Sequence, residues 1–142
     1  MLELKIPQNQ NEVLDNLEVR YKVFHLEQNI NIEDDFDGLD ELSTLFVLYL
    51  DNLPIGASRI RLLDEYIWKL ERFCILENYR NNKYGSFMLN KIEEHIKSLN
   101  FSEVTLNSQE NAINFYLKNG YKQISDFFIE ADIKHIKMKK EL

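Results

Sequence analysis

The sequence predicts an α/β or α+β fold in which helices cover the faces of one mixed β-sheet. Two observations carry this. Residues 44–50, 55–63 and 66–75 are rich in β-branched and aromatic residues and are separated by the turn signals Asp51-Asn52 and Asp64-Glu65, which is the pattern of an antiparallel meander. Beyond it, an apolar 3.6-residue period leads into another strand, and a meander that feeds a strand–helix–strand crossover needs a sheet of mixed direction.

Each element follows in order. Leu2, Leu4 and Ile6 alternate before Pro7 and predict a short strand; a helix then starts near Asn11, with Val13, Leu14, Leu17, Tyr21 and Phe24 on its apolar side. Residues 33–41 hold six acids and Gly38, which predicts a polar loop or short helix near the surface. After the meander and a loop over 76–83, Met88, Ile92, Ile96 and Leu99 share one stripe of a helix spanning 84–99. Val104 and Leu106 mark another strand, and residues 110–118 form a short helix closed by Asn119-Gly120. Residues 121–124 and 133–138 make two final strands.

A length of 142 residues fits one domain over 1–142. With 44% apolar and 29% charged residues the chain resembles an ordinary globular protein, which disfavours disorder and coiled coils. No apolar run approaches the roughly 20 residues that span a bilayer, and the N-terminus lacks a basic segment followed by an apolar one, so no membrane and a cytoplasmic location are expected. The lone Cys74 excludes disulfide and thiolate-metal scaffolds. His25, His95 and His135 lack ligand-like spacing, and the calcium-loop-like series Glu33, Asp35, Asp37, Gly38 has Thr44 where the bidentate Glu belongs, so no metal is expected. A net charge of −7 disfavours nucleic acid as a partner.

Two segments carry chemistry. The apolar strand end Phe73-Cys74-Ile75 runs into Arg80-Asn81-Asn82-Lys83-Tyr84-Gly85-Ser86 and a helix, so free main-chain amides, the helix dipole and two cations form a candidate anion site suited to a pyrophosphate. Later, Phe115 and Tyr116 lie on a short helix that stops at Asn119-Gly120 before Tyr121.

Together these segments resemble the GNAT N-acetyltransferases, and the chain looks closest to their ElaA-like branch. The resemblance runs from Arg20-x-x-Val23-Phe24-x-x-Glu27-Gln28 through Pro54-x-Gly56-x-x-Arg59, Glu71-Arg72, the Arg80 loop and Leu106-x-x-Gln109. It continues through Phe115-Tyr116-x-x-x-Gly120-Tyr121 to Ile133-x-His135-x-x-Met138. Lys83 departs from the pattern, standing where many members have a loop glycine; a lysine there needs negative φ or accepts strain, while adding a cation.

The resemblance implies a mixed, mostly antiparallel sheet of six or seven strands flanked by four helices. It implies acetyl transfer from acetyl-CoA, a co-substrate, to an amine of an unidentified acceptor by direct attack on the thioester. Phe73, Cys74 and Ile75 would hold the pantetheine, and Arg80, Asn81, Asn82, Lys83, Tyr84, Gly85 and Ser86 the pyrophosphate, with Gln109 and Asn114 also on the cofactor. Tyr116 would protonate the departing thiolate, since a phenol with a pKa of about 10 is protonated at neutral pH. Glu71, Glu27 and His135 are candidate bases, the two glutamates ranked first. Arg59 and Arg61, on one strand face, either grip a substrate carboxylate or pair with the acids of 33–41, and the pairing is favoured.

Two rival readings remain. Arg20, Phe24, the acids of 35–40 and Arg59 also resemble acyl-homoserine-lactone synthases, and a non-catalytic acyl-CoA-binding module could share the fold. An uncovered edge strand would allow a homodimer.

Overall fold

The computed structural model describes residues Met1–Leu142. Its strands are β1 (Leu2–Lys5), β2 (Thr44–Leu50), β3 (Leu53–Leu62), β4 (Trp68–Ile75), β5 (Glu103–Gln109), β6 (Lys122–Gln123), β7 (Phe128–Glu130) and β8 (Ile133–Glu141). They form one sheet in the order β1-β2-β3-β4-β5-β8-β6, with β7 also on β8, and only β4 and β5 run parallel. The helices are α1 (Gln10–Arg20), α2 (Ile32–Asp35), α3 (Tyr84–Ser98) and α4 (Ile113–Lys118). This is the mixed, mostly antiparallel architecture that the sequence predicts.

The α3 crossover links the parallel pair, and its apolar stripe fixes where the core sits. Met88, Leu89, Ile92 and Ile96 are fully buried on the face of the sheet made by Leu70, Val104, Leu106, Ile136 and Met138. Each such side chain contributes about 1.5–3 kcal/mol on leaving water. On the opposite face α1 packs Val19 against the sheet near Ala57 and Cys74. Asn16 pins α1 there, its Nδ2 donating to the Phe46 and Ser58 carbonyls at 2.9 and 3.1 Å. Asn9 caps α1 by accepting the Glu12 amide.

Three features differ from the sequence reading. The sheet has eight strands, because β7 and β8 form a hairpin turned by Ala131 and Asp132, at φ 50° and 60°. A two-residue turn of this kind usually advertises itself with Asn-Gly or Asp-Gly, and Ala-Asp carries no such signal, whereas Asp51-Asn52 does and turns β2 into β3 at φ 48° and 70°. The first helix does not keep its period: residues Tyr21–Glu27 continue as a π-helix, and the Gln28 amide reaches the Val23 carbonyl at 3.1 Å.

The acidic run, finally, is not a surface feature throughout. Arg20 and Arg59 are completely buried, and the run folds over them. Asp35, 1% exposed, accepts from Arg20, and Asp37 and Asp40 accept from Arg59. Two buried guanidinium groups demand carboxylates, so the charge content of 33–41 is an interior requirement.

Candidate active site

Strands β4 and β5 pair only at Trp68–Val104, Lys69–Thr105 and Leu70–Leu106. Beyond Leu70 the register of β4 on β3 slips between Ala57 and Arg59, and Arg72 lies in the left-handed region at φ 56°. This bulge bends β4 away, while β5 stays zipped to β8 as far as Gln109–His135. The two strands therefore part and leave a cleft of about 1040 Å³.

The cleft collects most of the predicted residues. Phe73, Cys74 and Ile75 lie along one bank, Gln109 and His135 on the other, and Tyr116 between them. The loop and first helical turn, with Arg80, Asn81, Lys83, Tyr84, Gly85 and Ser86, close one end. Asn82 and Asn114 do not line it: the Asn82 amide donates to the Arg80 carbonyl at 3.1 Å and so shapes the loop from behind, and Asn114 is exposed on α4. Lys69, Asn107, Lys118 and Glu130, which have no site role in the sequence reading, also line it, as does Arg61, weighed there with Arg59 as a grip for a substrate carboxylate; β3, β4, β5, α4 and β7 contribute one residue each.

Strand alternation decides which main-chain groups of β4 face the opening. The Leu76 amide donates to the Ile55 carbonyl on β3, so the groups of Cys74 also point to β3 and those of Phe73 and Ile75 point away from it. The Ile75 carbonyl accepts from Arg80 Nε at 2.9 Å. Arg80 also gives both terminal nitrogens to the Glu27 carboxylate at 2.7 Å, and that hydrogen bond holds the Glu27 carboxyl below its usual range. A second strap lies beside it, where Gln109 Nε2 donates to Gln28 Oε1 at 2.9 Å.

At the start of α3, Lys83 is the N-cap residue in the left-handed conformation, φ 65°, and no side chain caps the helix. Lys83 thus accepts the strain its position demands, and the amides of the first turn, Tyr84 to Ser86, are free to bind an anion. Gly85 matters for a different reason. A Cβ there would lie 3.1 Å from the Phe115 ring, a close approach between α3 and α4 that the ring would have to yield a few tenths of an ångström to accept.

Tyr116 is 7% exposed and packs edge-on against Phe73, Phe115 and Tyr121. Its phenol joins none of the side-chain hydrogen bonds, unlike Tyr121 on Glu93 or Tyr49 on Asp15. Burial pushes its pKa well above the ordinary tyrosine value, so it stays protonated through neutral pH. Burial likewise pushes the Cys74 thiol up to about 12, which keeps it an inert thiol.

The candidate bases fare differently. Burial alone would raise the Glu71 pKa, but the hydrogen bond from Arg61 and the charges of Arg59 and Lys69 prevail and bring it to about 2. Its oxygens lie 3.0 Å from Arg61 Nε, 3.1 Å from Arg59 Nη2 and 3.2 Å from Lys69 Nζ. Such a carboxylate, like Glu27, is a weak proton acceptor. His135 is bonded through Nδ1 to the Ile133 carbonyl at 2.7 Å, with Nε2 3.7 Å from Glu130.

Comparisons agree with this geometry. A family model described as an acetyltransferase (GNAT) domain matches residues 11–142. The N-acetyltransferase YjcF of Bacillus subtilis, itself uncharacterized, is 36% identical over 96% of this chain and 97% of its own. The crystal structure of Escherichia coli ElaA superposes with a TM-score of 0.88 at 24% identity, covering 99% of this chain and 100% of that one. A GNAT acetyltransferase from Elizabethkingia anophelis, solved with acetyl-CoA bound, superposes at 0.79 with 14% identity over 99% and 98% of the two chains. The chain belongs to the GNAT acetyltransferase family.

Proposed function

We propose that this chain transfers an acetyl group from acetyl-CoA to the amine of an acceptor. The observation that carries the proposal is the coincidence, in one cleft beside the unpaired end of β4, of an uncapped α3 N-terminus and a buried, protonated Tyr116. The amides of Tyr84, Gly85 and Ser86, with Lys83 and Lys118 beside them, suit the pyrophosphate of coenzyme A. The outward main-chain groups of Phe73 and Ile75 suit the pantetheine amides, which would then lie where a ninth strand would otherwise pair.

In this reading the amine attacks the thioester carbonyl and forms a C–N bond. Collapse of the tetrahedral intermediate breaks the C–S bond, and Tyr116 gives its proton to the departing sulfur. The amine proton leaves to a base, and Tyr116 is reprotonated from solvent. Of the three candidate bases His135 is the one not locked in an ion pair with arginine or lysine, and we assign it the role, directly or through a water. Glu27 becomes the group that positions Arg80, and Glu71 the hub of the cationic wall.

Incubation of the purified chain with acetyl-CoA and pooled primary amines, followed by thiol release and mass spectrometry, tests the proposal. Amine-dependent coenzyme A release with a product heavier by one acetyl group supports it. Tight acetyl-CoA binding without release from any amine would instead favour the non-catalytic binding module.

A further inference from the structure

Arg59 and Arg61 stand two residues apart on one face of β3, yet their surroundings differ. Arg59 is completely buried and its donors are all spent: Nη1 on Asp37 and Asp40, Nη2 on Asp37 and Glu71, Nε on Glu71. Arg61 is 24% exposed at its side chain and lines the cleft. It meets Glu71 side-on, through Nε at 3.0 Å and Nη2 at 3.3 Å. The end-on edge of its guanidinium, formed by Nη1 and the second hydrogen of Nη2, has no protein partner. That edge presents two parallel N–H groups, the geometry that a planar carboxylate accepts.

The charges around it are also unbalanced. Arg20, Arg59, Arg61, Lys69 and Arg72 are linked in one network with Asp35, Asp37, Asp40 and Glu71, so five arginine and lysine side chains share four carboxylates. At the cleft Arg61 and Lys69 share the single carboxylate of Glu71 with the buried Arg59.

Its place along β4 matters. Lys69 faces Arg61 across the ladder, upstream of the Arg72 bulge, whereas the α3 amides lie downstream of Ile75. Six residues of strand, about 20 Å, separate Lys69 from Ile75. Coenzyme A entering from the α3 end leaves the Arg61 end to the acceptor.

Resting on the acetyltransferase reading above, we infer that the acceptor is an amine that also carries a carboxylate, received end-on by Arg61 and neutralised by Lys69. The amine is thereby held toward Tyr116, and Arg61 sets specificity without touching the reacting atoms.

The test uses the full chain with acetyl-CoA and matched pairs of acceptors: α-amino acids and straight-chain ω-amino acids of two to six carbons, each beside its own carboxamide. The expected result is a kcat/KM at least tenfold higher for the best carboxylate than for its amide. Arg61→Gln should collapse that preference, chiefly through KM, while acetyl-CoA affinity by calorimetry stays within twofold and circular dichroism shows the native fold. Arg61→Lys, which keeps the charge but loses the fork, should recover only part of it. Calorimetry of the chain saturated with coenzyme A against the same acceptors reads the site without turnover, and heat from carboxylates alone supports it. Equal use of acids and amides, a preference that survives Arg61→Gln, or no carboxylate binding to the coenzyme A complex would overturn the carboxylate site. Each of these leaves the acetyltransferase reading standing, whereas failure to bind acetyl-CoA at all would remove that reading and this inference together.

Discussion

Glu27 and Arg80 lie 53 residues apart in the chain and meet in a two-pronged pair, each oxygen of one 2.7 Å from a terminal nitrogen of the other. The pair ties the end of the π-helix to the loop that opens α3, and Arg80 completes the tie through the Ile75 carbonyl. A candidate base and a candidate phosphate ligand are thus one structural unit. Because both side chains are about one-third exposed, the pair contributes less than about 1 kcal/mol to stability, and its importance lies in where it holds the loop.

Glu27→Gln tests that distinction. It should raise the KM for acetyl-CoA by about three- to tenfold, leave the melting temperature nearly unchanged, and keep the acid limb of the pH–rate profile. Steady-state kinetics across pH 5 to 9 check it, and loss of the limb would return Glu27 to the role of base.

Acid should weaken the fold through the cationic wall. The Glu71 carboxyl titrates at about 2 in the folded chain against an ordinary 4.5, and a hydrogen bond from Arg59 depresses Asp37 as well. A lowered folded-state pKa gives stability that is complete above the unfolded value and is lost as pH falls from about 4.5 toward 2, on the order of 3 kcal/mol for Glu71. Urea midpoints should fall steadily over that window. Glu71→Gln should lower the midpoint at pH 7 and flatten the slope below pH 4.5.

Gly85→Ala probes the contact between α3 and α4. The new methyl group meets the Phe115 ring, which stands 5.1 Å from the Tyr116 ring and 5.8 Å from Phe73. Displacing Phe115 should move the phenol and lower kcat by at least tenfold, with a stability loss of about 1–2 kcal/mol. Paired measurements of kcat and urea stability separate the two effects.

Lys83→Gly should divide stability from binding. Glycine takes φ 65° without a steric penalty, which offsets its greater chain entropy, so the melting temperature should hold or rise slightly. The lost cation should weaken coenzyme A binding about three- to tenfold at low salt, and the difference should shrink as salt rises. Calorimetry at two ionic strengths checks this.

Much of this site was legible in the sequence, for identifiable reasons. The strand end at Phe73-Cys74-Ile75, the loop before Tyr84 and the Asn119-Gly120 stop are local patterns, and the structure places the first two on the cleft. Tyr116 was readable only through the family resemblance carried by Phe115-Tyr116-x-x-x-Gly120-Tyr121. What escaped depends on long-range register. The expected pairing of Arg59 with the acids of 33–41 is present, on Asp37 and Asp40, but Arg61 pairs with Glu71 instead, and nothing local says that Asp35 will be buried on Arg20 or that Arg61 keeps a free edge. The Ala131-Asp132 turn and the π-helix were missed because neither carries its usual residues or period.

Tyr116→Phe is the most direct test of the central claim, since it removes one hydroxyl from the cleft and nothing from the core. The account predicts coenzyme A affinity within twofold of the wild type and kcat reduced about a hundredfold, the scale of a lost general acid. Unchanged kcat, or a wild-type chain that shows no heat with coenzyme A, would contradict it.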